Sequence, residues 1–310
     1  MRFWVVGAGL AVLGTLGLGV FAQQRPVMTD EDPTKITVEV TRVDMLFTVM
    51  DKKGRFVTNL DKNNFELLEN KRPQSIQEFS AETDLPLRLG ILIDTSNSIR
   101  DRFKFEQQAA TEFVHSVMTA KRDKAMLVSF DSSAEMVSDL VDQPNDIIKG
   151  INALRPGGGT ALYDAIFYAC RDKLALDQPK YKFRRAIIVV TDGDDNFSHY
   201  TRDQALEMAQ KADVAIYAIS TNVTRDETEG DKVLKYLAKE TGGQAYFPFK
   251  VEDLEQSFEN IANELRHQYI ILYRPEPLIT DGEFHPITLR VKGHKELIVR
   301  VRPGYYAPNM

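Results

Sequence analysis

The stretch Leu87-Arg88-Leu89-Gly90-Ile91-Leu92-Ile93-Asp94-Thr95-Ser96-Asn97-Ser98 joins an apolar run to a loop of oxygen-bearing side chains. The run Leu87–Ile93, broken only by Arg88, suits a strand buried on both faces, as strands of a parallel sheet are. It opens directly into the pattern D-x-S-x-S. In an open α/β sheet, ligands bind in the crevice at the carboxyl ends of the strands. Asp94, Ser96 and Ser98 stand at alternate positions of such a strand-end loop, so a carboxylate and two hydroxyls can converge on one point.

Outward from this stretch the chain alternates strand and helix. Phe105, Ala109, Phe113 and Val117 are spaced four apart and predict a helix over about 101–119. Further helices are expected at about 144–153, 160–176, 202–212, 229–240 and 251–266. Met126–Phe130, Ala186–Val190, Val214–Ser220 and an edge strand at Ala245–Phe249 read as strands between them. A short strand near Glu135–Leu140 follows its predecessor too closely for a crossover and should run antiparallel. The expected fold class is α/β: a doubly wound, mostly parallel sheet with one short antiparallel strand, flanked by a small β module.

The flanks carry β patterning. Ile36, Val38 and Val40 share one parity and Val43, Met45, Phe47 and Val49 the other, which places a bulge or break near Thr41-Arg42. Phe65–Phe79 reads as a hairpin turning near Asn70-Lys71-Arg72-Pro73. Tyr269–Tyr273, Ile287–Val291 and Leu297–Val301 read as strands after His267. The expected organisation is a signal peptide at 1–22, a flexible leader at 23–35, a β module at 36–84, the α/β domain at 85–266, and a β segment at 267–310 packed with 36–84.

Two more oxygen-rich loops fall at the same sheet edge. Gly157-Gly158-Gly159-Thr160 precedes a helix; its glycines let backbone approach closely, and Thr160 can serve as helix cap and ligand together. The strand at 186–190 ends in Thr191-Asp192-Gly193. Asp94, Ser96, Ser98, Thr160 and Asp192 thus offer two carboxylates and three hydroxyls. Hard oxygen donors suit Mg²⁺, with Mn²⁺ or Ca²⁺ as the alternatives. Two negative charges balance a dication but leave it short of charged ligands, so it can accept a carboxylate from outside.

The trio D-x-S-x-S, G-G-G-T and T-D-G, each at a strand end, resembles the metal-ion-dependent adhesion site of von Willebrand A and integrin I domains. The resemblance implies that Asp94, Ser96 and Ser98 are first-loop ligands, that Thr160 engages the metal in the ligand-bound state, and that Asp192 acts through water. It also implies that partner binding shifts the helix at 251–266 and so reaches the β module through His267. The partner would be a protein offering an Asp or Glu side chain. The flanking Asp51-Lys52-Lys53-Gly54-Arg55-Phe56-Val57-Thr58-Asn59-Leu60 and Arg302-Pro303-Gly304-Tyr305-Tyr306 resemble the VWFA-related proteins of acidobacteria. The expectation is therefore an adhesion or scaffold module; the alternative is an envelope scaffold in which the metal only stiffens its loops.

Composition limits the other classes. With 43% hydrophobic and 27% charged residues, the 310-residue chain can build a core. A net charge of −6 and the lack of a basic cluster argue against nucleic acid. Arg2 followed by the apolar run Phe3–Ala22, ending in Val20-Phe21-Ala22 with small residues at the −3 and −1 positions, reads as a signal peptide cleaved after about Ala22; an uncleaved anchor is the alternative. The mature chain is then expected outside the cytoplasm, periplasmic or extracellular in a bacterium, with no stable membrane span. The single cysteine, Cys170, lies on the apolar stripe of a helix with Leu162, Ile166, Ala169 and Leu174 and reads as a buried hydrophobe. Asp194 and Asp195 read as solvated, His199 as a surface loop residue, and Tyr305 and Tyr306 as strand packing. H-E-x-x-H, G-x-S-x-G and the P-loop pattern are lacking. A phosphatase using Asp94 as nucleophile needs an acid two residues on, where Ser96 stands. No catalytic residue is assigned.

Overall fold

A computed structural model describes residues 42–309 except 82–84, 120, 178–181, 223, 225 and 249–250. The expected signal peptide, the leader and the strand at 36–40 lie outside the described residues. The chain opens with strands β1 (Val43–Met50), β2 (Phe65–Glu69), β3 (Arg72–Gln74) and β4 (Ile76–Ser80). Then follow β5 (Leu87–Asp94), α1 (Phe103–Val117), β6 (Lys124–Phe130), β7 (Ala134–Val141), α2 (Pro144–Ala153) and α3 (Leu162–Ala169). Next come β8 (Arg184–Thr191), α4 (Arg202–Lys211), β9 (Ala215–Ser220), α5 (Glu229–Thr241), β10 (Ala245–Tyr246) and α6 (Val251–Arg266). Strands β11 (Tyr269–Tyr273), β12 (Phe284–Val291), β13 (Ile298–Val301) and β14 (Gly304–Tyr306) complete it.

The middle of the chain makes one six-stranded sheet in the order β10-β9-β8-β5-β6-β7. Only β7 runs antiparallel, as the short connection from β6 requires. Every residue of β5 and of β8 is buried, which is why both read as apolar without alternation. The α/β fold class expected from the alternating pattern is the one found. One face of the sheet packs on α1, α2 and α6 through Leu89, Ile91, Phe113, Ile147, Phe258 and Ile261. The other packs on α3, α4 and α5 through Leu92, Val128, Leu162, Ala209 and Leu237. The strand order runs one way from β5 through β6 to β7 and the other way from β8 to β10, and β5 and β8 are parallel neighbours whose carboxyl ends lie side by side: Ile93 is registered with Val190. That is the switch point where α/β sheets hold ligands.

The flanking strands form two four-stranded sheets, β13-β1-β11-β4 and β14-β12-β2-β3. Each sheet takes strands from both ends of the chain. Met45, Phe47, Phe65, Leu67, Tyr269, Ile271 and Leu289 share one buried cluster between them. Phe47, Phe65, Phe79 and Tyr269 form its aromatic centre, with ring centroids 5.1–5.9 Å apart.

Local detail departs from the sequence reading in three places. The expected hairpin at 65–79 turns tightly at Asn70-Lys71, both at positive φ, and stops at Gln74. β4 then leaves for the other sheet and pairs with β11. The helix expected over 160–176 begins at Leu162 and finishes as a π turn at Cys170–Leu174. Cys170 is buried there, and burial pushes its thiol well above the usual range. Among the described residues, the edge strand expected at 245–249 is only Ala245–Tyr246.

The sandwich is bolted to the lower edge of the α/β layer. Arg300 Nη1 donates to Glu264 Oε2 on α6 at 2.5 Å, and Thr48 Oγ1 donates to Glu264 Oε1 at 3.3 Å. Arg302 pairs with Asp213 and donates to Asp44 O at 2.6 Å. Residue His267 touches the sandwich by stacking on Phe56 at 5.6 Å, but the buried connection runs through Glu264.

Candidate functional site

Asp94 ends β5 with no exposed surface. Its Oδ1 accepts the Ser96 N–H at 2.8 Å, and its Oδ2 accepts the Thr191 hydroxyl at 2.7 Å. The hydroxyls of Ser96 and Ser98 are 2.9 Å apart. Ser96 is buried and Ser98 exposed, so the loop presents its oxygens from the interior to the surface. Thr191 was not singled out from the sequence. It is the residue beside Asp94 on the neighbouring strand, and strand register is what brings them together.

The three loops are tied to one another by main-chain bonds. Gly157 N donates to Thr95 O at 2.6 Å, and Asn97 N to Gly158 O at 3.3 Å. Asn196 N and Phe197 N both donate to Thr160 O at 3.0 Å, and Thr160 N donates to Asn196 Oδ1 at 2.9 Å. Asp192 is half-buried, and its Oδ1 accepts the Asp194 N–H at 3.1 Å. Gly193, at φ +85°, lies so close to Gly230 that a side chain would collide with that residue's carbonyl.

Two expectations about these loops need correction. Thr160 is not the helix cap. The N-cap of α3 is Ala161, with no side-chain capping bond of its own. The open N–H groups of the first turn are met from the third loop instead: Asp195 Oδ2 accepts from Tyr163 N at 3.1 Å, and Ser198 Oγ from Asp164 N at 3.0 Å. This arrangement relieves the Thr160 hydroxyl of capping. Asp195 is accordingly not a solvated residue, since it also accepts the Ser198 hydroxyl at 2.6 Å. Asp194 is exposed. His199 is a surface side chain, 84% exposed, whose Nδ1 lies 2.8 Å from Asp164 Oδ2. Asp164 itself is buried and accepts the N–H groups of His199 and Tyr200, both at 2.9 Å. No motif announces Asp164 or Asp195, because their role depends on the fold of a different loop.

The electrostatics favour a cation. Burial pushes the Asp94 carboxyl up to about 6, the bonds from Thr191 and Ser96 pull the other way, and the nearby Asp192 adds to the rise. Both protein partners of Asp94 are neutral. Among the described residues, no three His, Cys, Asp or Glu side chains gather as a metal cluster. A dication at this point would rest on the two carboxylates and the hydroxyls of Ser96, Ser98 and Thr160, a hard-oxygen set that fits Mg²⁺.

A family model described as von Willebrand factor type A domain matches residues 89–194, a span that holds all five of these residues. The chain carries a von Willebrand factor type A domain. Domains of this type are in general protein-interaction or adhesion modules. No curated protein sequence matches the chain. Among solved structures it is similar to a von Willebrand factor type A protein from Catenulispora acidiphila, at 13% identity over 86% of this chain and 74% of that one, TM-score 0.51. It is also similar to proximal thread matrix protein 1 of the mussel byssus with a zinc-occupied MIDAS motif, at 18% identity over 64% of this chain and 49% of that one, TM-score 0.50. The PilB minor pilin of Streptococcus sanguinis (D319A mutant) matches at 15% identity over 60% of this chain, TM-score 0.48, and the chain spans 62% of that protein's length. At these identities the likeness is one of fold. Among the described residues no helix is long and apolar enough to cross a membrane.

Proposed function

We propose that the chain is an exported, metal-dependent protein-binding module. In this reading Asp94, Ser96, Ser98, Thr160 and Asp192 hold a divalent ion, Mg²⁺ in the first instance, and an Asp or Glu side chain of a protein partner completes its shell. The observation that carries the reading is Asp94: a carboxylate with no exposed surface, bonded only by neutral donors and beside a second carboxylate. A buried charge without a counter-charge is costly, and a bound cation removes that cost. The release of Thr160 from capping duty and the exposure of Ser98 support the same reading, because a ligand must be both unengaged and reachable.

We take the strands at 36–84 and 267–310 as one discontinuous β domain beside the A domain, and Phe3–Ala22 as the export signal. Calorimetric titration with Mg²⁺ tests the metal: wild type gives a saturable heat and Asp94→Ala none, and equal heats would sink the reading. Capture from an envelope extract, with and without EDTA, tests the hook. The loops are already cross-bonded by protein groups, which favours a second reading in which the metal only stiffens a scaffold. Capture that ignores EDTA would select that second reading.

A further inference from the structure

Glu106 sits one turn into α1, on the stripe Phe103, Glu106, Ala110, Phe113 and Val117 that faces the sheet. It is 2% exposed, and neither carboxyl oxygen has a hydrogen-bond partner. The preceding turn fixes where it lies. Arg102 Nη1 donates to Thr221 O at 2.7 Å, and Thr221 N donates to Thr191 O at 3.0 Å. The start of α1 is therefore held over the carboxyl ends of β8 and β9, beneath the loops that carry Asp94 and Asp192. The Thr221 hydroxyl, also buried, has no partner either.

The charged groups that act on Glu106 are Arg102 from its own helix, Asp94 from β5 and Asp192 from the loop after β8. The helices packed on α1 turn apolar residues toward it: Ile147 and Ile151 from α2, Leu254, Phe258 and Ile261 from α6. A carboxyl in such a place holds its proton, because ionising it would leave a bare charge in an apolar layer beside two more anions. Burial pushes it up to about 8, Arg102 opposes the rise, and Asp94 and Asp192 add to it.

We propose that Glu106 is the proton-bearing third carboxyl of the A domain's metal site: neutral while the site is empty, and ionised, its proton passing to solvent, when a dication settles between Asp94 and Asp192. This rests on the metal-binding reading above. It assigns Glu106 no place in the metal's shell. The residue acts at a distance, as a charge that appears only when the metal brings the compensating charge. Metal uptake is then coupled to pH through a helix residue behind the ligands.

The test is proton release on metal binding, read by titrating Mg²⁺ into the full chain in two buffers of different ionisation enthalpy. At pH 7 wild type releases about one proton per ion, and at pH 9.5 almost none, because a group poised near 8 has already ionised. Glu106→Gln, which keeps the shape and removes the acid, binds Mg²⁺ and releases almost none at either pH. Equal proton counts in the two proteins, with both binding metal, overturn the proposal. The wild-type counts stand alone if the variant does not fold: a count that stays level between pH 7 and 9.5 overturns it as well. If wild type binds no Mg²⁺ at all, it is the metal-binding reading that fails.

Discussion

The two ends of the central sheet treat buried carboxylates in opposite ways. At the lower end each one meets an arginine, Asp123 with Arg266 at 2.6 Å and Glu264 with Arg300 at 2.5 Å, and the half-buried Asp213 and Asp177 are paired with Arg302 and Arg88. At the upper end Asp94 meets hydroxyl and amide donors, and Glu106 meets nothing. The same fold therefore bonds its buried carboxylates to arginines where it joins the sandwich and leaves Asp94 and Glu106 without such a bond where the loops converge. A buried charge without its partner is costly. The lower end supplies its own counter-charges, whereas at the upper end, among the described residues, no charged group is hydrogen-bonded to Asp94 or Glu106.

The largest way to break this contrast is pH. The folded chain keeps the Glu106 proton up to about 8, whereas an unfolded chain loses it near 4.5. Stability conferred by the protonated form is thus full below about 4.5 and falls as pH rises to about 8, at about 1.4 kcal/mol per pH unit, a total of about 5 kcal/mol without metal. Asp94 adds a fall of the same sign between 3.8 and about 6. Urea unfolding of the metal-free chain from pH 4 to 9 measures it, and Glu106→Gln should flatten the upper part of the curve. Next is the lower end. Arg300→Ala strands Glu264, which is 2% exposed, and should cost about 3 to 5 kcal/mol at neutral pH, whereas Glu264→Gln with Arg300→Met should recover much of it. If the single and double variants unfold alike, the lower end is not held by its ion pairs.

Much of the architecture is legible in the sequence alone. α2 and α6 begin and end where periodicity and Pro144 place them, and β5 and β8 read as central strands because both of their faces are apolar. Within the site, D-x-S-x-S, G-G-G-T and T-D-G mark the three loops, but not the groups that hold them. Thr191, Asp164, Asp195 and Glu106 get their roles from strand register or from another loop's backbone, and a one-dimensional pattern carries neither. The assignment of Thr160 as a cap failed for the same reason: a cap can come from 32 residues along the chain as well as from the next residue, and here Asp195 supplies it. The hairpin at 65–79 misled because β4 alternates equally well in either sheet.

Two smaller effects sharpen the contrast. With Mg²⁺ at about 100 times its dissociation constant, wild type should gain about 2.7 kcal/mol of stability over the EDTA-treated protein, and Asp94→Ala should gain nothing. Thermal melts with and without EDTA read this directly. The smallest is Phe197, 53% exposed and lying against Gly159 on the rim of the loops. Phe197→Ala should move stability by less than about 0.5 kcal/mol and leave Mg²⁺ binding unchanged, while weakening capture of a partner. An equal loss of metal binding would show that the ring supports the loops instead.

The mixed parentage of the sandwich sheets has a consequence for how the molecule comes into being. β1 is hydrogen-bonded to β11 and β13, and β2 to β12, so every pairing that joins the two flanks spans the whole A domain in sequence. Such distant contacts are slow to form, since a long loop must close before they repay its entropy. The A domain, by contrast, is one continuous stretch in which every pair of neighbouring strands except β5 and β8 is close in sequence, so its contacts close shorter loops than those of the sandwich. Its own folding brings residues 87 and 266 into one body, which shortens the loop the sandwich has to close. A folded α/β layer would thereby be the template on which the two flanking arms meet.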